Sequence, residues 1–318
     1  MAYQRKSSDG IKKTLKEKFY ALPLKTKCII GIIALAALVL LWLFDEQLCT
    51  LLPDYNLDDA APNEMTVHFI DVGQGDAALI VMPTGETMLI DAGPDMSQNR
   101  LVAYLSHHGV TKLTYAMFSH THEDHIGGAD AVLRAFPTEK VILSSEETAS
   151  WFFADLLEAA EDTGAECIYA RVGQTYTLGD AAFEILGPRG TDYEKGNDYS
   201  IVTRLIYGER KFLFTGDAEA YSETEMLAAL PKDNFSADVL KLGHHGSSTS
   251  TIRAFWDAVS PSYVVASCGK SNDYGHPHRE TVAAAKERGV LLLRTDHHGN
   301  IRFRTDGKSL TFDYDDLS

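Results

Sequence analysis

The chain has 318 residues, 45% of them hydrophobic, and a formal net charge of −16 at pH 7. It is long enough for one large domain or two small ones, and apolar enough for a substantial core. Its four cysteines are scattered without a C-x-x-C pair, which argues against a cysteine-based zinc site and against a dense disulfide framework.

The N-terminal region joins a basic segment to an apolar one. Residues 1–27 carry eight Lys or Arg and two Asp or Glu, whereas residues 28–44 contain no charge. An apolar run of about 17–25 residues can cross a bilayer, and excess positive charge favours the cytoplasmic side. We expect a cytoplasmic basic segment at 1–27, a transmembrane anchor at 28–44 and a linker at 45–64, with residues 65–318 outside the cell membrane. A cleaved signal peptide and a buried helix of a soluble core are the alternatives.

The charge of the chain is unevenly distributed. Residues 1–27 carry a net charge of +6, so the rest of the chain carries −22. A domain this acidic repels a phosphate backbone except near bound cations or a local basic patch.

After residue 64, strand-like runs alternate with helix-like runs. Strands are predicted at residues 67–71, 78–82, 88–91, 113–118, 141–143, 183–186, 201–207, 211–215, 238–242, 263–267, 290–294, 300–304 and 309–313. Helices are predicted at residues 98–107, 126–136, 149–162, 219–230, 252–259 and 279–288. Many strands with helices between them, and hairpins at both ends, indicate an α/β domain with two mixed sheets face to face and helices outside.

Residues 119–128 read SHTHEDHIGG and follow the predicted strand at 113–118. His120, His122, Asp124 and His125 fall within six positions, and imidazole with carboxylate is a ligand set that suits zinc or manganese. A tight loop after a strand can point these side chains to two sides, towards two cations about 3.5–4 Å apart. An exposed polar loop with chance histidines is the alternative.

Further potential ligands follow other predicted strands. Asp217 follows the strand at 211–215, and His244 and His245 follow the strand at 238–242. Asp217 could bridge two cations, one of the two histidines could complete the second site, and Asp91, after the strand at 88–91, could hydrogen-bond a ligand from beneath.

These motifs carry a family resemblance. SHTHEDHIGG, TGD and HHGS, each after a strand, resemble the metallo-β-lactamase superfamily. FIDVGQGDA (69–77), LIDAG (89–93), NDYSIVTRL (197–205), LKLGHHGSSTS (240–250), YGHPH (274–278) and RTDHHGNI (294–301) resemble, more narrowly, the hydrolase domain of ComEC-type DNA-uptake proteins. The resemblance spans residues 65–304 and implies an αββα sandwich, two divalent cations and metal-activated water.

The resemblance also implies roles for individual residues. The first cation would be held by His120 and His122, the second by Asp124, His125 and His245, with Asp217 bridging the two. His244 is then a substrate-facing neighbour that handles protons, as Asp124 could; the reverse assignment of His244 and His245 stays open. Three aspartates are expected to support the loops beneath the cations: Asp71, Asp76 and Asp91.

One position departs from the superfamily pattern. A third histidine usually completes the first metal site, but residues 126–243 contain none, and the sequence at that place reads Asn197-Asp198-Tyr199-Ser200. Oxygen ligands shift the preference from Zn²⁺ towards Mn²⁺ or Mg²⁺. Two of the remaining histidines, His276 and His278, either reach the site or belong to an ordinary loop. The histidine pairs at 107–108 and 297–298 are interpreted as surface polar residues.

The leading hypothesis is a membrane-anchored phosphodiesterase with two divalent ions, Zn²⁺ or Mn²⁺, acting as a nuclease on DNA. Its expected partners are DNA or another phosphodiester, the membrane, and a DNA-uptake channel protein. One alternative keeps the chemistry but acts on cell-wall polymers such as phosphorylcholine-bearing teichoic acid. Another is a non-enzymatic accessory subunit of an uptake machine.

Overall fold

A computed structural model describes residues 63–146 and 148–315, together with the single residue 26. The predicted anchor at 28–44 lies outside the described residues, as do nearly all of the basic segment and the linker. Among the helices that are described, none combines the length and the apolar character needed to cross a membrane.

The first sheet has eight strands, in the spatial order β15-β14-β1-β2-β3-β4-β5-β6. Its strands are β1 (Met65–Phe69), β2 (Ala78–Val81), β3 (Thr87–Ile90), β4 (Leu113–Phe118), β5 (Thr138–Leu143), β6 (Glu166–Tyr169), β14 (Ile301–Thr305) and β15 (Thr311–Tyr314). β3 to β6 run parallel to one another, whereas β15, β14, β1, β2 and β3 alternate in direction.

The second sheet has seven strands, in the order β13-β12-β11-β10-β9-β8-β7. They are β7 (Thr175–Leu178), β8 (Ala181–Gly187), β9 (Val202–Tyr207), β10 (Arg210–Phe214), β11 (Val239–Lys241), β12 (Tyr263–Ala266) and β13 (Leu291–Arg294). The α-helices are α1 (Gln98–His107), α2 (Glu123–Ile126), α3 (Ala129–Ala135), α4 (Trp151–Thr163), α5 (Ala220–Ala229), α6 (Arg253–Val259), α7 (Arg279–Glu287) and α8 (Thr295–His298).

The core lies in three layers that separate the helices from the two sheets and the sheets from each other. Between the sheets, the ring of Phe69 in β1 stacks on that of Phe214 in β10, with centroids 5.7 Å apart. Leu101 and Leu133 belong to the apolar layer on the outer face of the first sheet, and Phe255 belongs to the corresponding layer on the second. This confirms the predicted αββα sandwich, because each sheet buries both of its faces.

Two local features differ from the sequence-based prediction. The strands β6 and β7 were missed, because each is an edge strand of only four residues, too short for its apolar pattern to stand out. The predicted helix at 126–136 is interrupted after α2 by Gly127 and Gly128. A Cβ atom on Gly127 would lie only 2.3 Å from the backbone nitrogen of Asp95, so the chain can pass here only without a side chain.

Candidate metal centre

The loops that leave several parallel strands meet at one edge of the sandwich. Asp91 follows β3, His120 follows β4, Asp217 follows β10 and His245 follows β11. Because parallel strands end at the same edge of their sheet, residues distant in sequence converge there. The position of the predicted site residues is thus set by strand direction.

Four residues form a compact candidate metal-binding cluster. Asp76, His125, Asp217 and His245 each offer one ligand atom, and these atoms all lie within 4.8 Å of one another. All four side chains are buried. Three of them are predicted metal ligands, whereas Asp76 was expected to support a loop.

His125 is held by an aspartate beneath it. Its Nδ1 lies 2.9 Å from Oδ2 of Asp91, whose Oδ1 accepts a hydrogen bond of 2.7 Å from the backbone N–H of Ser119. Donation from Nδ1 to Asp91 leaves Nε2 as the atom available for a cation. This Nε2 lies 3.2 Å from Oδ1 of Asp217, and both atoms are buried without a hydrogen-bond partner among the described residues.

His245 is fixed in the same way. Its Nδ1 lies 3.0 Å from the backbone oxygen of Ser267 and 3.1 Å from Oδ1 of Asp76, both of which only accept hydrogen bonds. Its Nε2 therefore faces Oδ2 of Asp124 at 3.1 Å and Oδ2 of Asp217 at 3.5 Å. The geometry favours His245 as the ligand at this position.

His244 is placed differently from its neighbour. It is partly exposed; its Nδ1 lies 3.2 Å from both Oε1 of Glu219 and Oγ1 of Thr249, and its Nε2 is 3.8 Å from Oδ2 of Asp217. Both histidines have positive φ angles, 47° for His244 and 55° for His245. Such a backbone is costly for residues other than glycine, and it turns the two side chains in different directions.

His120 and His122 lie on the other side of Asp217. Nε2 of His120 is 3.0 Å from Nδ1 of His122 and 4.0 Å from Oδ2 of Asp217. Nδ1 of His120 contacts Oγ of Ser119 at 3.1 Å and Oγ of Ser200 at 3.3 Å. His120 is buried and His122 is exposed, so the pair extends from the cluster towards solvent.

The carboxylates of the cluster attract positive charge strongly. Burial opposes a charged imidazole at His245, yet Asp217 and Asp76 raise its pKa to about 10. Burial likewise opposes charge at His125, whose pKa Asp217 and Asp91 nevertheless raise well above its usual value. Burial alone would raise the pKa of Asp217, but His245 and His125 lower it well below its ordinary range. A field that holds protons on buried histidines also favours a metal cation.

The residues present fit a divalent cation. Nε2 of His125 and Oδ1 of Asp217 are not aligned for a hydrogen bond although they lie 3.2 Å apart. A buried imidazole nitrogen and a buried carboxylate oxygen this close together, without a hydrogen bond between them, are stabilised when both bind a cation. Imidazole with carboxylate is a donor set found for zinc, manganese and iron, so it defines a metal site without identifying the metal.

Asp76 has a partner that the sequence did not suggest. Its Oδ2 forms a buried ion pair with Nζ of Lys241, the last residue of β11. Because its two oxygens are occupied by Lys241 and by Nδ1 of His245, Asp76 supports the site rather than facing the opening. A lysine ending a strand gave no signal of this contact, since strand ends are commonly solvated.

The remaining predicted residues lie at varied distances from the cluster. Asp71 accepts a hydrogen bond from the backbone of Gly73 and so braces the loop that leads to Asp76. The ring of His276 lies 5.3 Å from that of His244, whereas His278 accepts a hydrogen bond from the backbone N–H of Ser248. Outside the site, His107 and His297 are exposed and His108 and His298 are partly buried.

A cavity of about 230 Å³ opens over the cluster. It is lined by Asp217, His244, His245 and His122, and by Asn197 from the segment that stands in place of the third histidine.

Comparison with known proteins agrees with the fold. Residues 70–270 match the family model of the metallo-beta-lactamase superfamily. Two solved structures share the fold: the metallo-beta-lactamase fold protein YhfI from Bacillus subtilis (TM-score 0.52, 13% identity, 76% of this chain and all of that one) and CmlA, a diiron beta-hydroxylase from Streptomyces venezuelae (TM-score 0.52, 14% identity, 77% and 55%). The chain belongs to the metallo-β-lactamase superfamily.

Curated relatives are more similar in sequence. ComE operon protein 3 of Bacillus subtilis is 29% identical over 79% of this chain, competence protein ComA of Neisseria gonorrhoeae is 32% identical over 78%, and recombination protein 2 of Haemophilus influenzae is 31% identical over 87%. The matched region makes up 34%, 33% and 31% of those proteins, so this chain spans about a third of the relatives it matches.

Proposed function

We propose that this protein is a phosphodiesterase that uses two divalent cations, Zn²⁺ or Mn²⁺, to cleave DNA. The observation that carries the proposal is the arrangement of histidine and carboxylate atoms on both sides of Asp217, beneath an open cavity. His120 and His122 would hold the first cation, Asp124, His125 and His245 the second, and Asp217 would bridge them. When bound, the cations would lower the pKa of a water molecule, and their positive charge would stabilise the oxygens of a phosphodiester.

The protein's own groups would position the substrate and move protons. His244 faces the cavity, and Glu219 and Thr249 hold its Nδ1, which leaves Nε2 towards the substrate. We assign it the role of donating a proton to the leaving oxygen. Asp124, whose side chain is 29% exposed, is the carboxylate best placed to take a proton from attacking water. Water then adds across the P–O bond and releases an alcohol and a phosphomonoester.

DNA is the proposed substrate because the relatives include proteins named for competence and recombination. We further propose that residues 28–44 anchor the chain in the cell membrane with the hydrolase domain outside, and that a DNA-uptake channel protein is a partner. The net charge of −22 beyond residue 27 disfavours broad contact with duplex DNA, so a strand held chiefly at the cations is the expected mode.

A second candidate substrate is supported by the cavity next to the site. This cavity of about 710 Å³ is lined by Tyr193 and Tyr221, whose rings are nearly perpendicular, and by the exposed acids Asp192 and Glu194. Glu219 also lines it but is paired there with Lys195. Aromatic faces with acidic side chains suit a quaternary ammonium group. A phosphodiesterase on cell-wall polymers bearing phosphorylcholine is therefore the alternative.

The test measures hydrolysis of bis(p-nitrophenyl) phosphate with Mn²⁺ or Zn²⁺. We expect turnover by the wild type, loss of turnover when Asp124 and His125 are both replaced by Ala, and retention in the control variant His297→Ala. Single-stranded DNA, duplex DNA and glycerophosphocholine then separate the two substrate classes. No turnover with any metal would favour a non-enzymatic accessory subunit instead.

A further inference from the structure

Asn197 presents a buried oxygen that has no partner. The residue is 9% exposed, and its Nδ2 donates a hydrogen bond of 3.2 Å to Oε1 of Glu219. A carboxylate only accepts hydrogen bonds, so this contact fixes which end of the amide is nitrogen. Oδ1 is then left buried with no hydrogen-bond partner in the described part of the chain. A buried acceptor without a partner is costly, which points to a ligand.

The segment that carries Asn197 touches the residues assigned to the first cation. A Cβ atom on Gly196 would lie 3.0 Å from Nε2 of His122. Oγ of Ser200 contacts Nδ1 of His120 at 3.3 Å and accepts a hydrogen bond of 2.9 Å from the backbone N–H of Asp217. Asn197 itself lines the cavity with His122 and Asp217. Its free oxygen therefore lies in the surroundings of the first cation.

We propose that Oδ1 of Asn197 is a ligand of the first cation, in the place where the superfamily pattern has a third histidine. The first site then has two imidazoles, one carboxylate and one amide oxygen. An amide oxygen is a harder ligand than imidazole, so this site prefers Mn²⁺ or Mg²⁺ to Zn²⁺. The two sites consequently differ in metal preference, since the second retains two imidazoles and two carboxylates.

The test is metal binding by the full-length protein, read by elemental analysis and by titration with Mn²⁺ alone. In Asn197→Leu we expect one Mn²⁺ site weakened by more than about 100-fold, beyond the effect of residues that only orient a ligand, and the other unchanged. Asn197→His should restore metal binding at the first site and shift its preference to Zn²⁺. This second variant tests the proposal even if Asn197→Leu does not fold. Asn99→Leu, at an exposed asparagine on α1, is the control. Unchanged Mn²⁺ affinity in Asn197→Leu, or unchanged metal preference in Asn197→His, would overturn the assignment.

A different observation concerns Tyr274, an exposed aromatic side chain at the rim of the same cavity. Its ring is 67% exposed and stacks nearly parallel on that of His276, with centroids 5.6 Å apart and an angle of 17°. His276 is 6% exposed, and its ring lies 5.8 Å from that of His245. The two stacked rings thus lead from solvent to the metal cluster, with one face of Tyr274 open.

The loop that carries Tyr274 is braced on both sides. Nδ2 of Asn272 donates to the backbone oxygens of Gly269 and His276, at 2.9 and 2.7 Å, and its Oδ1 accepts from the N–H of His276. Nδ1 of His278 accepts from the backbone N–H of Ser248, so Nε2 carries the proton and donates to the backbone oxygen of Tyr274 at 3.1 Å. Binding a flat ligand to a ring held in this way costs little conformational entropy.

We propose that Tyr274 stacks an unpaired nucleobase beside the phosphodiester that is cleaved, so that the site selects single-stranded nucleic acid; this rests on the proposed nuclease function. Stacking does not depend on phosphate contacts, which suits a domain carrying −22 charges. A base inside a duplex is stacked on both faces and cannot reach the ring. Stacking on an aromatic side chain is worth about 5- to 150-fold in affinity per base.

The test compares KM and kcat of the full-length protein on single-stranded oligonucleotides. Tyr274→Ala should raise KM by about 5- to 150-fold with little change in kcat, and Tyr274→Phe should retain the wild-type KM. On an abasic strand the difference between wild type and Tyr274→Ala should vanish. Tyr169→Ala, at another half-exposed tyrosine on edge strand β6, is the control.

Two failures are distinguishable. If the wild type cleaves the strand and Tyr274→Ala leaves KM within twofold, or if the difference persists on the abasic strand, the stacking role is refuted and the nuclease function stands. If the wild type cleaves no nucleic acid but hydrolyses another phosphodiester, the DNA substrate itself is refuted and the stacking role with it.

Discussion

Nε2 of His125 lies 3.2 Å from Oδ1 of Asp217, and neither atom has a hydrogen-bond partner among the residues described. The opposite nitrogen of His125 is engaged by Asp91, so Nε2 is the nitrogen that faces Asp217. The two atoms are placed to hold a cation between them.

We expect Asp217→Asn to lose bound metal, because the carboxylate proposed to bridge the two cations would contribute charge to both sites. Turnover of a phosphodiester should fall by more than about 100-fold, beyond the effect usual for residues that only orient a ligand. Elemental analysis of metal per chain is the measurement, with His297→Ala as the matched control. Full metal content in Asp217→Asn would contradict the bridging role.

Asp91 acts through His125, so Asp91→Asn should weaken the second cation without removing a ligand. The amide of the variant has one oxygen, which accepts a hydrogen bond from either His125 or Ser119. The carboxylate of the wild type has two oxygens and accepts from both. We expect metal affinity to fall about 10- to 100-fold. Calorimetric titration with Zn²⁺ measures this, and an unchanged affinity would show that Asp91 serves only the loop.

His244 and His245 should differ in what their loss removes. His245→Ala deletes a predicted ligand and should reduce metal content. His244→Ala should keep both metals but lower kcat by about 100- to 10,000-fold, the usual contribution of a general acid. Metal analysis and kcat measured on the same preparations decide the assignment, since the opposite pattern would make His244 the ligand.

Glu223 lies away from the proposed cation sites and is expected to make the stability of the protein depend on pH. Its side chain is fully buried, where it accepts backbone hydrogen bonds of 2.6 Å from Thr251 and 2.8 Å from Ile252. Burial raises its pKa from 4.5 to about 8. Between these two pH values the folded state keeps a proton on Glu223 that the unfolded chain releases. The contribution of this proton to the free energy of unfolding is therefore complete below about pH 4.5 and is lost as the pH rises towards 8.

Urea unfolding of the metal-free protein at a series of pH values tests this expectation. The free energy of unfolding of the wild type should fall between about pH 5 and 8, and Glu223→Gln should show a shallower fall because the amide does not titrate. Parallel profiles for the two proteins would mean that Glu223 does not hold a proton in the folded state.

Gly75 is required where the loop before Asp76 passes under Asp124. It has a φ of +147°, and a Cβ atom there would lie 2.4 Å from the backbone oxygen of Asp124. Gly75→Ala should cost about 3 kcal/mol or more of stability. Gly109→Ala meets open space at a φ of +73° and should cost only about 1 kcal/mol. Thermal unfolding of both variants tests the difference; equal losses would exclude the close contact as the cause.

Much of the site could be predicted because its ligands follow strands in short motifs. His120, His122, Asp124 and His125 are within six residues, so local spacing alone indicates a metal site. Edge strands β6 and β7 escaped prediction, since a run of four residues is too short to distinguish a strand from a loop. The ion pair of Asp76 with Lys241 joins the loop between β1 and β2 to the end of β11, a contact that no local pattern reveals.

By itself, the sequence determined the superfamily and the set of possible ligands, because residue type and spacing within a loop limit which side chains can share a cation. Only the tertiary structure decided how they are used. Neighbours far away in the chain set three features: the nitrogen by which His245 faces the cluster, the orientation of the Asn197 amide, and the position of the Tyr274 ring. That ring stacks on His276. Hydrogen-bond direction and ring contact arise from packing, and packing exists only once the two sheets have come together.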